Sequence, residues 1–173
     1  SGPRLISGAP NDSTLALASG AAILYGNTDG HWAKEATIRP VSGTPYARFG
    51  AAVAVDRDTV VVGAPGAEAA MVYQQVNDQL VHRTTLRVPD GQRSRSFGKS
   101  VTVHGETVAV SADGAVFIFE NISTTCGLAA KLSTLDRRAD FGHAISLWEG
   151  VLVVGAPGSD TAFTYWNGPQ GWR

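Results

Sequence analysis

The dipeptide Phe-Gly recurs at Phe49-Gly50, Phe97-Gly98 and Phe141-Gly142, and fourteen residues beyond each Phe a second signature opens. These signatures are Gly63-Ala64-Pro65-Gly66, Ser111-Ala112-Asp113-Gly114 and Gly155-Ala156-Pro157-Gly158. A fixed internal offset inside copies 48 and 44 residues apart is the mark of a repeat architecture, in which each copy is one supersecondary unit that cannot bury its apolar faces alone. Leu5-Ile6-Ser7-Gly8-Ala9-Pro10 carries the second half of the pattern, so the chain begins inside a repeat.

Each repeat reads as four short strands. Branched residues two apart follow the Phe-Gly (Val53 and Val55, Val101 and Val103, Ile145 and Leu147), then a turn of about three residues, then a β-branched run such as Val60-Val61-Val62. An aromatic-ended strand comes third (Met71-Val72-Tyr73, Val116 to Phe119, Phe163-Thr164-Tyr165) and a more polar one fourth (Leu80 to Val88, Leu128 to Leu132). Middle strands apolar on both faces need a sheet covered on both sides, which radial stacking provides. The predicted fold is therefore all-β: a β-propeller segment of four-stranded antiparallel blades. Two are complete, at about 49–88 and 97–132, and two partial, at about 1–40 and 141–173. A β-sandwich also has many short strands, but gives no reason for a constant Phe-Gly to Gly-Ala-Pro offset.

Composition agrees. Twenty glycines and eight prolines in 173 residues call for many tight turns and few helices. A net charge of -1 leaves no bias towards nucleic acid, and no apolar run approaches the ~20 residues of a membrane-spanning helix. The single Cys126 rules out an internal disulfide or multi-thiolate site, leaving burial or a bond outside the chain. The start, Ser1-Gly2-Pro3, is expected to follow removal of a targeting peptide or to lie within a longer polypeptide.

On these motifs the chain resembles the FG-GAP repeat family, whose blades build the N-terminal propeller of integrin α subunits and of many extracellular proteins. Phe49, Gly50, Gly63, Ala64 and Pro65 fit the pattern fully, as do Phe141, Gly142, Gly155, Ala156 and Pro157; Phe97 and Gly98 are followed by Ser-Ala-Asp instead. The resemblance implies an extracellular or cell-surface glycoprotein module for adhesion, protein binding or structural assembly, without chemistry of its own. It implies that the open blades are completed by further copies or by sequence beyond this segment. Calcium-binding members carry an Asp-rich loop of about nine residues between strands one and two; here Asp56 and Asp58 alone cannot supply the six or more oxygens required. No metal or other cofactor is expected.

No catalytic constellation emerges, because His31, His82, His104 and His143 lie in separate segments and the acids are scattered over loops. A carbohydrate-binding or carbohydrate-processing propeller is the second reading, resting on Trp148, placed in a turn, and Trp166, placed after strand three. Trp32 and Trp172 stand at matching starts of strand four, predicting packing at the blade rim. Asn11-Asp12-Ser13 and Asn121-Ile122-Ser123 are glycosylation triplets in loops. Arg48, Arg93, Arg95, Arg137 and Arg138 all precede a Phe-Gly, in the segments that join one blade's outer strand to the next blade's inner strand. They are expected on one face, where they either brace blades by pairing with Asp90, Asp136, Asp140 or nearby carbonyls, or dock an acidic protein or glycan partner.

Overall fold

The computed structural model describes residues 3–77, 79–89, 95–136 and 138–173. They form successive antiparallel sheets. The first holds β1 (Arg4–Ala9), β2 (Ala21–Thr28) and β3 (His31–Ile38); the second β4 (Ala52–Asp56), β5 (Thr59–Ala64), β6 (Ala69–Val76) and β7 (Gln79–Leu86). The third holds β8 (Val101–His104), β9 (Thr107–Ala112), β10 (Ala115–Glu120) and β11 (Gly127–Ser133); the fourth β12 (Ile145–Trp148), β13 (Val151–Ala156), β14 (Thr161–Gly168) and the two-residue β15 (Gly171–Trp172). Within each sheet the strands lie in chain order. Sheet one thus lacks the inner strand that β4, β8 and β12 supply elsewhere.

Why these residues make stacked blades is visible in β5, where every residue is buried. Val60, Val62 and Ala64 join a cluster with Ala22, Leu24 and Phe49, while Val61, on the opposite face, joins Val108, Val110 and Phe117. One β-branched run therefore fills two cores, one towards each neighbouring sheet, and each fully buried Val contributes about 1.5–3 kcal/mol. Ala109, Val116 and Ile118 meet Leu152, Val154 and Phe141 in a third cluster between sheets three and four. β13 is buried only on alternate residues, and its far side leaves Val151 and Val153 exposed.

The signature residues make the joints. Gly50, Gly98 and Gly142 have φ of +88°, +96° and +84°, and the residue two before each, Arg48, Ser96 or Asp140, is also left-handed. The amides of Gly50, Gly98 and Gly142 donate to the carbonyls of Gly63, Ser111 and Gly155 at 2.9, 3.0 and 3.0 Å. The fourteen-residue offset is thus the distance round one hairpin. Gly63 has no Cβ because one would strike the carbonyl of Gly98 in the next blade, and Gly8 meets Gly50 in the same way. Each Phe is fully buried and packs edge to face on strand three of its own sheet: Phe97 lies 5.6 Å from Phe117 and 6.3 Å from Phe119, Phe141 5.4 Å from Phe163 and Phe49 6.4 Å from Tyr73.

Two sequence expectations need correction. Trp148 closes β12 instead of sitting in a turn, and Trp166 lies within β14 instead of beyond the third strand. Trp32 and Trp172 match in position but not in packing: Trp32 is half exposed, whereas Trp172 lies against the third core and its indole donates to Glu120 Oε1 at 3.0 Å. The cause is the neighbour each sheet has at that end, which one repeat read alone does not reveal.

Candidate functional site

The crossovers between blades and the loops between strands two and three share one end of the sheets. Their backbones are stitched together there: Gly66 N to Ala47 O at 3.1 Å, Asp113 N to Arg95 O at 2.9 Å and Gly158 N to Ala139 O at 3.0 Å. Arg48, Arg95 and Arg138 stand one on each successive crossover, all exposed. Among the described residues none of the three side chains makes a hydrogen bond or ion pair. Arg93 and Arg137 lie outside the described residues, as does Asp90.

Of the acids expected to brace those arginines, Asp136 and Asp140 are engaged otherwise. Asp140 Oδ1 accepts from Lys99 Nζ at 2.7 Å and its Oδ2 lies 2.6 Å from His143 Nδ1, tying the crossover of blade three to that of blade four. Asp136 Oδ1 accepts from the backbone N of Arg138 at 2.9 Å. Asp113, Thr134, Asp136, Arg138 and Asp140 line a cleft of about 660 Å³ between the turn joining β9 to β10 and the last crossover. Its rim mixes signs, which suits a ligand bearing several polar groups.

The hydrogen bonds from Lys99 and His143 hold the Asp140 carboxyl below its ordinary value. A depressed folded value stabilises the protein above the ordinary carboxylate range and loses that contribution as pH falls through the folded value. Because Asp140 is 43% exposed, the pair is worth only about 0.5 kcal/mol. Asp140→Asn should therefore be slightly less stable than wild type above about pH 5, with the gap closing as pH falls through the folded value; urea midpoints taken across the acid range check it, and a constant gap would rule it out.

The opposite end is laced differently. Arg4 bonds Asp58 at 2.8 Å and Glu35 at 3.1 Å, and Gly105 N donates to Asp56 Oδ2 at 2.7 Å. Both aspartates of the second sheet's hairpin are thereby committed to neighbouring blades. Arg83 Nε donates to Gln74 Oε1 (2.8 Å), Gln74 Nε2 to Ser123 Oγ (2.5 Å) and Ser123 Oγ to Glu106 Oε1 (2.6 Å), joining blades two and three. Glu120 binds Asn167 and Trp172 of blade four at 2.9 and 3.0 Å. Among the described residues no group of three His, Cys, Asp or Glu is placed to hold a metal.

Asn11 and Asn121 are both exposed, at turns after β1 and β10. Cys126 is half buried against the core shared by blades two and three, and burial pushes its thiol up. Trp148, Val151 and Trp166 are register partners in one row across sheet four, with 65, 42 and 51% exposure. Sequence reasoning did not find the Lys99–Asp140 pair or this row; the Lys directly after Phe97-Gly98 and the Asp directly before Phe141 were the available signals.

Stacked four-stranded sheets joined at Phe-Gly crossovers define a β-propeller array. Residues 32–76 match the FG-GAP repeat, so the chain carries a repeat of that family. Its fold is similar to that of a structural-genomics crystal structure of a protein from Lactobacillus plantarum, 16% identical with a TM-score of 0.61. The match covers 89% of this chain and 48% of that one, so the chain spans about half the length of this structural relative. No curated protein matches the chain.

Proposed function

We propose that this propeller array is an interaction or assembly module of an extracellular or cell-surface protein, holding an acidic protein or glycan on its crossover face and performing no chemistry. The observation that carries this reading is the set of three exposed arginines, Arg48, Arg95 and Arg138, one per crossover, whose side chains find no partner among the described residues. Bracing between blades falls instead to Lys99 with Asp140, to Arg4 with Asp58 and to the Gln74–Ser123–Glu106 chain. A guanidinium left in water at a rim steers and orients an anionic partner at little cost to the fold. The exposed glycosylation triplets at Asn11 and Asn121 support an exported module.

The test is the triple substitution Arg48→Glu, Arg95→Glu, Arg138→Glu, with a sulfated polysaccharide and an acidic peptide as probes. Affinity should fall about tenfold or more, about 1.4 kcal/mol, while the urea midpoint stays nearly unchanged, as exposed substitutions do. Unchanged affinity, or stability lost along with it, would overturn the docking role.

A further inference from the structure

We infer that the groove between blades two and three, at the end opposite the crossovers, binds an oxyanion ester: a sulfate or phosphate group carried on a polar molecule such as a sugar. This groove is separate from the crossover face, and the inference does not rest on the partner proposed there.

The groove exists because one turn is longer than its counterparts. The two outermost strands of sheets one, two and four are separated by two residues, whereas Asn121 to Cys126 puts six between β10 and β11. The longer turn is held at several points. Ile122 is 4% exposed and belongs to the core shared by blades two and three, and Cys126 packs against that core. Ser123 donates to Glu106 from its amide at 2.9 Å and from its hydroxyl at 2.6 Å, and Gln74 of blade two donates to the same hydroxyl. Together the turn and β7 enclose a cavity of about 470 Å³, lined by Arg83 and Thr84 on one side and by residues 122–126 on the other. A pocket whose loop is fixed before the ligand arrives loses little binding energy to ordering it.

The lining is rich in donors and carries one charge. Arg83 Nε donates to Gln74 Oε1 at 2.8 Å, which orients the guanidinium and leaves Nη1 and Nη2 without a partner among the described residues. The hydroxyls of Thr84 and Thr125 and the amides of Thr125 and Cys126 likewise donate to no group among the described residues. No carboxylate lines the cavity: Glu106 is taken up by the two donors of Ser123. Burial pushes the Cys126 thiol up, so it adds no negative charge near neutral pH. An oriented guanidinium fork beside free hydroxyl and amide donors suits the oxygens of a sulfate or phosphate, which accept several charge-assisted hydrogen bonds at once. At ~30 Å³ per water the cavity holds about fifteen, more than one tetrahedral anion displaces, so the polar carrier enters with its ester.

The experiment uses the single cysteine as a reporter. Alkylation of Cys126 by iodoacetamide is followed in the 173-residue chain under mildly alkaline conditions, with glucose sulfate, glucose phosphate and glucose as probes, alongside the amide NMR shifts of residues 124–126. Saturable slowing by an ester and not by glucose is expected, and the tighter ester identifies the source of the group. Arg83→Gln should weaken the ester about tenfold, the effect of losing a hydrogen bond to a charged group, and Arg83→Lys should weaken it less. Both variants should keep a urea midpoint near wild type, as exposed substitutions do. The triple crossover variant should bind the ester as wild type does, so that failure of this site and failure of the crossover reading are told apart. Glucose protecting as well as the esters, undiminished binding in Arg83→Gln, or no protection by any probe would overturn the assignment.

Discussion

Phe97→Ala should lower stability by about 3–5 kcal/mol, the largest loss expected from any one substitution in the chain. The ring is wholly buried at the joint of blades two and three, where it touches two aromatic rings of β10 and belongs to the cluster that contains Val61, Val72 and Leu86 of blade two. Its removal opens a cavity walled by two sheets, so collapse at one wall strains the other. Phe97→Leu keeps most of the volume and should cost less than about 1.5 kcal/mol. Urea unfolding of the two variants gives the comparison. A loss under 1 kcal/mol for the alanine variant would mean that the Phe of the motif is a marker and not a joint.

Gly98→Ala should cost about 3 kcal/mol or more, and a matched control separates its two causes. Its φ of +96° burdens any L side chain by about 1–2 kcal/mol, and a Cβ there would collide with the Ala69 carbonyl and lie 3.0 Å from Ala64 N. Gly30 has a comparable φ of +83° with nothing within 4 Å. Gly30→Ala should therefore show the backbone cost alone. If the two variants lose the same stability, the close approach of backbones at the joint contributes nothing, and the explanation given for the motif's glycine fails.

How much of this was legible beforehand varies by residue. Phe49, Phe97 and Phe141 with their fourteen-residue partners located blades two to four, because that interval is set by one hairpin and does not depend on neighbours. β-branched runs such as Val60-Val61-Val62 located the doubly buried strands for the same local reason. The candidate site was less legible. Arg48, Arg95 and Arg138 could be put on the crossovers from order along the chain, but whether they braced or stood free could not. Lys99 and Asp140 are 41 residues apart, and Gln74 and Ser123 are 49 apart. Which long polar side chain meets which acid across such separations depends on the rotation of one blade against the next.

The chain's own pattern determined the repeating unit, its strand order and the small residues at its joints, all of which follow from backbone sterics and the burial of a single hairpin. Only the assembled sheets decided which charged groups lace neighbours together and which stay in water. Those outcomes depend on how sheets turn against one another, a geometry fixed by the summed packing of Phe, Val and Gly across three joints and written in no one repeat.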